Sequence, residues 1–180
     1  MIKGVVTEYD RLDWAVNCAA VSLETKPLAD SESDSFQTMI DINLTGLYHS
    51  MKYEIRQMQR QGGGSIVNIS SVSGLKGSPL FAPYAATKFG VVGMTKSAAL
   101  EYAAQNIRIN AVAPGAVRTE LREKLFTMGQ FDEAAVAATH PIKRIGEPQE
   151  IARGIAWLLS DEASFVIGHV LSIDGGLNAQ

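Results

Sequence analysis

The sequence contains few of the residues that bind metals or form disulfides. Its 180 residues include one cysteine, Cys18, and three histidines, His49, His140 and His169, which lie far apart along the chain. A single cysteine excludes a disulfide within the chain and favours a reducing compartment, so we expect a cytoplasmic protein. The spacing of these residues is not that of metal ligands. We therefore predict no metal site and expect each histidine to have a structural role.

An excess of positive charge and a long hydrophobic run are also missing. The net charge is −3 at pH 7 and the sequence pI is about 5.6, which is not the electrostatic footprint of a nucleic-acid-binding protein. The segment 1–8 is not signal-like, and no stretch is long and apolar enough to span a bilayer. We predict neither a nucleic-acid nor a membrane partner. The hydrophobic content of 46% is sufficient for one domain over residues 1–180.

Short apolar runs alternate with helical patterns along the chain. Strands are predicted at 12–17, 65–69, 107–112 and 170–173, and helices at 1–9, 31–60, 83–104 and 149–160. This alternation is typical of an α/β domain whose parallel sheet is covered by helices on both faces. The segment 119–140 is the least regular, with weak helical patterns at 120–128 and 131–138. Such a segment is equally typical of a flap over a site and of an ordinary surface connection.

The clearest candidate for chemistry is a tyrosine and a lysine on one helical turn. Tyr84 and Lys88 are four positions apart, which places them on the same face of the predicted helix. A free phenol titrates near ~10 and is a poor proton donor or base at neutral pH. A nearby ammonium favours the phenolate and moves the pKa of the tyrosine toward the working range.

Two serines follow the strand that precedes Tyr84 and Lys88, and one of them is a candidate to bind the substrate oxygen. Ser70 and Ser71 close the predicted strand 65–69, and ligands of open α/β sheets collect at the carboxyl ends of strands. A hydroxyl there is able to hold a carbonyl oxygen while Tyr84 exchanges a proton with it. A tyrosine four positions before a lysine is common on helices without function, and the strand-end serine strengthens the functional interpretation. A hydrolase that uses serine, tyrosine and lysine is a weaker alternative, because the sequence has no nucleophile elbow.

With two further matches, these residues resemble the classical short-chain dehydrogenase/reductase family over 11–176, nearly the whole chain. Family members carry a catalytic serine thirteen residues before the tyrosine, which is the distance between Ser71 and Tyr84. Asn43 matches the family asparagine that holds a water linking the lysine to solvent. The segment 114–119 matches the stretch that runs beside the nicotinamide in the family.

The resemblance implies hydride transfer between NAD or NADP and a secondary alcohol or the corresponding carbonyl compound. Tyr84 would give or take the proton, Ser71 would hold the substrate oxygen, and Lys88 would lower the pKa of Tyr84 and bind the nicotinamide ribose. The implied catalytic residues are Asn43, Ser71, Tyr84 and Lys88. The implied cofactor-binding residues are Asn17, Ala19, Tyr84, Lys88, Pro114, Gly115, Val117 and Thr119. The substrate would be a small-molecule alcohol or ketone, and Ser70 would be a structural hydroxyl.

Two departures from the family pattern affect the cofactor site, and the first follows the strand at 12–17. The family usually has Asn-Asn-Ala-Gly where this chain has Asn17, Cys18, Ala19 and Ala20. An alanine in place of that glycine is harmless at negative φ, but it costs about 1 kcal/mol or more at positive φ. We expect Cys18 to be a packed small hydrophobic residue.

The second departure is that no glycine-rich dinucleotide turn follows any predicted strand. In the family that turn follows the first strand, upstream of 12–17, so the chain is expected to be an N-terminally truncated member. The predicted fold class is a Rossmann-type doubly wound parallel sheet that lacks the first strands and the glycine-rich turn. The strand at 12–17 then becomes an edge that carries Leu12, Trp14 and Val16. We expect low stability and weak cofactor binding for the chain alone.

A function without catalysis is the alternative. The chain would then be a truncated remnant that at most associates with full-length family members. The helices at 31–60 and 83–104 resemble those that family members use to form dimers and tetramers, so we expect a homo-oligomer through these helices.

Overall fold

The structure, a computed structural model, describes residues 1–120, 122–123 and 132–180. Within them, four parallel strands form one sheet in chain order. They are β1 (Trp14–Asn17), β2 (Gly64–Ile69), β3 (Ile107–Pro114) and β4 (Val170–Ile173). The predicted α/β fold with a parallel sheet is confirmed.

The α-helices whose bounds lie within the described residues connect or flank these strands. They are α1 (Ile2–Tyr9), α2 (Ser33–Ile40), α3 (Gly46–Gln61), α4 (Ala82–Tyr102), α5 (Glu133–Thr139) and α6 (Pro148–Leu159). A π-helical turn over Asp41–Thr45 joins α2 to α3, so the predicted helix at 31–60 is one long helix with an inserted residue. The predicted helix at 120–128 lies largely outside the described residues. The hypothesis that the segment 119–140 is a flap over the site therefore stays a prediction.

Local signals explain where several of these helices begin and end. Gly62 ends α3 in the left-handed region, at φ 89°, which glycine adopts without strain. Pro148 occupies the first turn of α6, where Glu147 and Glu150 form a reciprocal capping box. These residues account for the break before β2 and for the start of the helix that leads to β4.

The core has two layers, one on each face of the sheet. On one face, α3 and α4 bury residues such as Met51 and Val91 against Ile66 and Ile109. On the other face, α6 packs on the alternate residues of the strands. Its side chains Ile151, Leu158 and Leu159 cluster with Val67 and Val112. This arrangement leaves the carboxyl ends of the strands as the place where loops meet.

The strand β1 forms an edge of the sheet in the described part of the chain, as predicted. Trp14 is 63% exposed and Val16 is 45% exposed. The expectation that Leu12 belongs to this apolar edge is wrong, since Leu12 is only 8% exposed. The Gln61 side chain accepts from the Leu12 amide at 3.0 Å and donates to its carbonyl at 2.7 Å, which holds this residue over the core.

None of the helices formed by the described residues has the length and hydrophobicity needed to cross a membrane.

Candidate active site

The two serines that follow β2 have different partners. The buried Ser70 hydroxyl donates to the Lys88 carbonyl at 3.0 Å, which ties the strand end to α4. The Ser71 hydroxyl accepts from the Ser73 amide at 3.1 Å and caps a short 3-10 turn. Gly74 in this turn approaches α4 closely, because a Cβ there would lie 2.6 Å from the Lys88 carbonyl oxygen. Ser70 therefore has the structural position predicted for it, and Ser71 faces the loop.

Lys88 is buried directly behind Tyr84. Its ammonium nitrogen lies 5.7 Å from the centroid of the Tyr84 ring and donates to the Ile69 carbonyl at 2.9 Å. Burial lowers the pKa of Lys88 to about 8, because an ammonium loses hydration in the interior. The end of β2 and the first turns of α4 thus hold one cation beside one phenol.

The pKa of Tyr84 does not shift in the direction predicted from the sequence. Burial of the phenol raises its pKa, while hydrogen bonding from the Ser71 side chain and the charge of Arg122 act to lower it. Burial disfavours the charged phenolate, and in this structure it outweighs the groups that favour it. The expectation that Lys88 brings the pKa of Tyr84 below its usual value is therefore wrong.

Asn43 lies in the π-helical turn, which directs its side chain inward. Its Oδ1 accepts from the Val21 amide at 2.7 Å, and its Nδ2 donates to the Val21 carbonyl at 2.9 Å and to Thr87 Oγ1 at 3.1 Å. The amide thus joins the loop after β1 to the residue that precedes Lys88. These contacts are with protein groups, and the water-holding role implied by the resemblance stays a prediction.

The segment after β1 differs from the sequence expectation at one position. Cys18 is exposed, so the expectation of a packed residue is wrong; the cysteine directly follows an edge strand. Ala19 and Ala20 are exposed as well. Ala20 does not adopt a positive φ, so the alanine in place of the family glycine introduces no backbone strain here.

The side chain of Asn17 faces the interface between the sheet and α3. Its Nδ2 donates to Glu54 Oε2 and to Asn68 Oδ1, both at 3.0 Å. Asn68 in turn donates to Thr95 Oγ1 at 2.9 Å. The Nδ2 group of Asn17 is thus engaged within the protein, by one residue of α3 and one of β2.

The segment 114–119 leaves β3 beside the end of β2. The Gly115 amide donates to the Ile173 carbonyl at 3.1 Å, and Val117 forms a parallel bridge with Gly146. The exposed Thr119 hydroxyl accepts from the Arg122 amide at 3.3 Å. The strand ends carrying Ser71 and Pro114 are adjacent, because Ile69 and Val112 are register partners.

Sequence reasoning missed two residues that act on this region. The charge of Arg122 opposes the effect of burial on the pKa of Tyr84 and acts to lower it. His140 is buried and accepts from the Ala116 amide at 3.0 Å. Neither residue carries a local signal, because the partner of each is distant in the sequence.

Comparisons with known proteins agree with the fold. A family model described as Enoyl-(Acyl carrier protein) reductase matches residues 1–178. Cyclohexanol dehydrogenase of Acinetobacter sp. (strain SE19) is 39% identical over 179 residues, which cover 99% of this chain and 69% of the relative. Short chain dehydrogenase/reductase astE of Aspergillus oryzae is 39% identical over 180 residues, which cover 99% of this chain and 69% of the relative. The chain belongs to the short-chain dehydrogenase/reductase family.

A solved structure of another protein supports the same assignment. ElxO with NADP bound superimposes with a TM-score of 0.96 at 42% sequence identity, covering 99% of this chain and 72% of ElxO. The predicted family, its Rossmann-type fold and the oxidoreductase class are confirmed. This short-chain dehydrogenase/reductase aligns with about 70% of the length of each of these relatives.

Proposed function

We propose that this protein interconverts a secondary alcohol and a carbonyl compound by hydride transfer with NAD or NADP. The observation that carries the proposal is the group of three side chains at the end of β2. The Ser71 side chain acts to lower the pKa of the Tyr84 phenol, and the Lys88 ammonium lies 5.7 Å from the centroid of the Tyr84 ring. A neutral hydroxyl, a phenol and an ammonium at one strand end are suited to proton exchange with a carbonyl oxygen.

The residues around the strand ends fit the nicotinamide half of the cofactor. Cofactor-binding roles are proposed for the Lys88 ammonium and the exposed Thr119 hydroxyl, with the backbone of Asn17, Ala19, Pro114, Gly115 and Val117 beside them. Gly115 packs closely against the protein behind it, because a Cβ there would lie 2.8 Å from His140 Nε2 and 3.0 Å from Asp174 Cα. When bound, the nicotinamide supplies or accepts the hydride.

The proton step follows from the protonation states of the site. Because burial raises the pKa of Tyr84, the phenol is protonated at neutral pH and donates its proton to the substrate oxygen during reduction. Ser71 holds that oxygen. In oxidation Tyr84 takes the hydroxyl proton, and the Lys88 ammonium favours the phenolate that the step requires. Asn43 is proposed to support Lys88 through Thr87 and, as in the family, through a water.

The proposal concerns one domain over residues 1–180 that acts as a homo-oligomer in a cytoplasmic compartment. Exposed apolar side chains on α2, α3 and α4 favour association through these helices; they include Phe36, Tyr48, Tyr53 and Phe89. A groove of about 270 Å³ between α2 and α4 adds to this surface. The substrate is proposed to be a small alcohol or ketone.

A non-catalytic role is the second candidate, and the exposed edge strand favours it. Trp14 and Val16 are uncovered in the described chain, and the relatives are longer than the segment that aligns with this protein. In that case the chain binds no cofactor and acts by association.

Turnover and cofactor binding decide between the two candidates. The purified chain is assayed with cyclohexanol and cyclohexanone by the absorbance of the reduced nicotinamide, and NADH and NADPH are titrated by fluorescence. Tyr84→Phe should lower the rate by about 10²–10⁴-fold, because it removes the proton donor. Tyr9→Phe, at an exposed tyrosine at the end of α1, is the matched control.

A rate that Tyr84→Phe leaves unchanged would show that the proposed site is wrong. No turnover and no binding of either cofactor would favour the non-catalytic role. We expect weaker than micromolar affinity for the chain alone, so micromolar binding would contradict that expectation.

A further inference from the structure

His140 is a buried histidine to which the proposed reaction assigns no part. It is only 2% exposed, and it directly follows α5. Its Nε2 accepts from the Ala116 amide at 3.0 Å. Ala116 lies between Gly115 and Val117, in the middle of the segment proposed to face the cofactor.

The partners of the imidazole define its hydrogen-bonding state. Because a backbone N–H only donates, Nε2 must be the unprotonated nitrogen. Nδ1 therefore carries the proton, and it lies 3.1 Å from the Val136 carbonyl and 3.1 Å from Thr139 Oγ1. The Thr139 hydroxyl already donates to Val136 at 2.7 Å, so both groups at Nδ1 are able to accept. The ring thus connects the last turn of α5 to the Ala116 amide.

The other side of Ala116 is held by the backbone. Its carbonyl accepts from the Gly146 amide at 2.9 Å, and the Arg118 amide donates to the Gly146 carbonyl at 2.8 Å. The Ala116 amide is thus bonded by the His140 side chain, and the Ala116 carbonyl is bonded by the backbone of Gly146. A change at His140 removes one support and leaves the others in place.

We propose that His140 is a positioning residue for the cofactor-facing segment 114–119. The neutral imidazole holds the Ala116 amide, so that Gly115 and Val117 keep the conformation in which their backbone meets the nicotinamide. This inference rests on the proposed function, because only that function assigns the segment to the cofactor. It adds a residue more than twenty positions away in the sequence to the determinants of nicotinamide affinity.

Two substitutions separate positioning from packing. In His140→Gln the side-chain oxygen is able to reach the place of Nε2 and accept from Ala116. In His140→Asn the shorter amide reaches only the place of Nδ1, so the Ala116 amide loses its acceptor. Both variants replace the ring with a smaller polar group, and a role in packing alone would affect them alike. His169→Asn, at an exposed histidine, is the control.

The measurements are amide hydrogen exchange at Ala116 by NMR and the dissociation constant of NADH by titration on the full chain, or that of NADPH if the wild type binds only NADPH. Loss of one hydrogen bond to a buried group should raise exchange at Ala116 by about tenfold in His140→Asn. We expect the NADH dissociation constant to rise by at least about threefold in the same variant. His140→Gln should remain close to the wild type in both measurements.

The outcomes are distinguishable. Equal effects in His140→Asn and His140→Gln would overturn the inference, as would unchanged exchange at Ala116 in His140→Asn. Faster exchange with an unchanged NADH dissociation constant would show a structural role only and would also overturn it. A wild-type chain that binds neither NADH nor NADPH overturns the proposed function and the positioning role with it, and the exchange data then show separately whether the ring holds the amide.

Discussion

At the residue scale, Tyr84 and Lys88 show how burial and charge compete. Burial raises the pKa of the phenol and lowers the pKa of the ammonium. Both shifts favour the neutral form, because each charged form loses hydration in the interior. The buried Lys88 ammonium therefore lowers the stability of the fold. Functional sites commonly have such a cost in stability.

The cost of burying Lys88 predicts how stability depends on pH. The pKa of Lys88 is about 8 in the folded chain, against an ordinary value of 10.5. Below pH 8, Lys88 is protonated in both the folded and the unfolded chain, so the full cost of burying its charge lowers the stability of the fold. Between pH 8 and 10.5 the folded state releases the proton while the unfolded state keeps it, so this group makes stability rise with pH by about 3 kcal/mol in total.

Lys88→Met tests this at pH 7 and pH 10 by urea unfolding. We expect the variant to be more stable than the wild type at pH 7 by about 1–3 kcal/mol, after about 1 kcal/mol is subtracted for the lost hydrogen bond to Ile69. The difference should shrink at pH 10, while activity is lost. Lys96→Met, at an exposed lysine on α4, is the control. A variant less stable than the wild type at pH 7 would contradict the prediction.

At the element scale, one arginine of β3 holds the end of α6. The Arg108 guanidinium donates to the carbonyls of Leu158, Leu159, Ser160 and Ala163, at distances between 2.7 and 3.1 Å. The last carbonyls of a helix lack partners within the helix, and a cation also matches the negative end of its dipole. This contact holds α6 on the sheet face opposite α3 and α4.

Arg108→Lys should destabilise the fold by about 1–3 kcal/mol, because a compact ammonium cannot reach four carbonyls as a planar guanidinium does. The midpoint of urea unfolding measures the effect. Arg60→Lys, at an exposed arginine on α3, should change the unfolding free energy by less than about 0.5 kcal/mol. Equal effects of the two substitutions would show that the carbonyl contacts contribute little.

At the scale of the whole molecule, no described residue pairs with the outer side of β1, so the sheet formed by 1–120, 122–123 and 132–180 is open there. Trp14 is the register partner of Ser65, whose hydroxyl lies 3.4 Å from the Leu158 carbonyl, so Trp14 lies on the face that α6 covers farther along the sheet. At β1 this face is uncovered, since Trp14 is 63% exposed. An edge strand with exposed apolar side chains is a template for association with other chains.

We therefore expect a chain of low stability that self-associates as its concentration rises. Thermal melting combined with light scattering checks this, and a sharp transition of a soluble monomer above ~65 °C would contradict it. Trp14→Lys should reduce scattering, because a charge on the edge disfavours strand pairing. Phe165→Lys, at a fully exposed phenylalanine away from the edge, should have a much smaller effect.

Much of the fold was determined by the sequence alone. The apolar runs that became β2, β3 and β4, and the small-residue helix that became α4, are local patterns of backbone geometry and side-chain period. The position of Tyr84 and Lys88 on one helix face is also a local pattern, since it depends on a single helical turn. The strand-end position of Ser71 followed from the run that precedes it.

Only the tertiary structure decided which groups are buried and what they contact. Leu12 is covered by Gln61, Cys18 is exposed beyond an edge strand, and the pKa of Tyr84 is raised. The contact between His140 and Ala116 likewise joins residues from separate elements. Burial and pKa shifts depend on neighbours that the folded chain brings together from distant positions, so no local pattern in the sequence contains them.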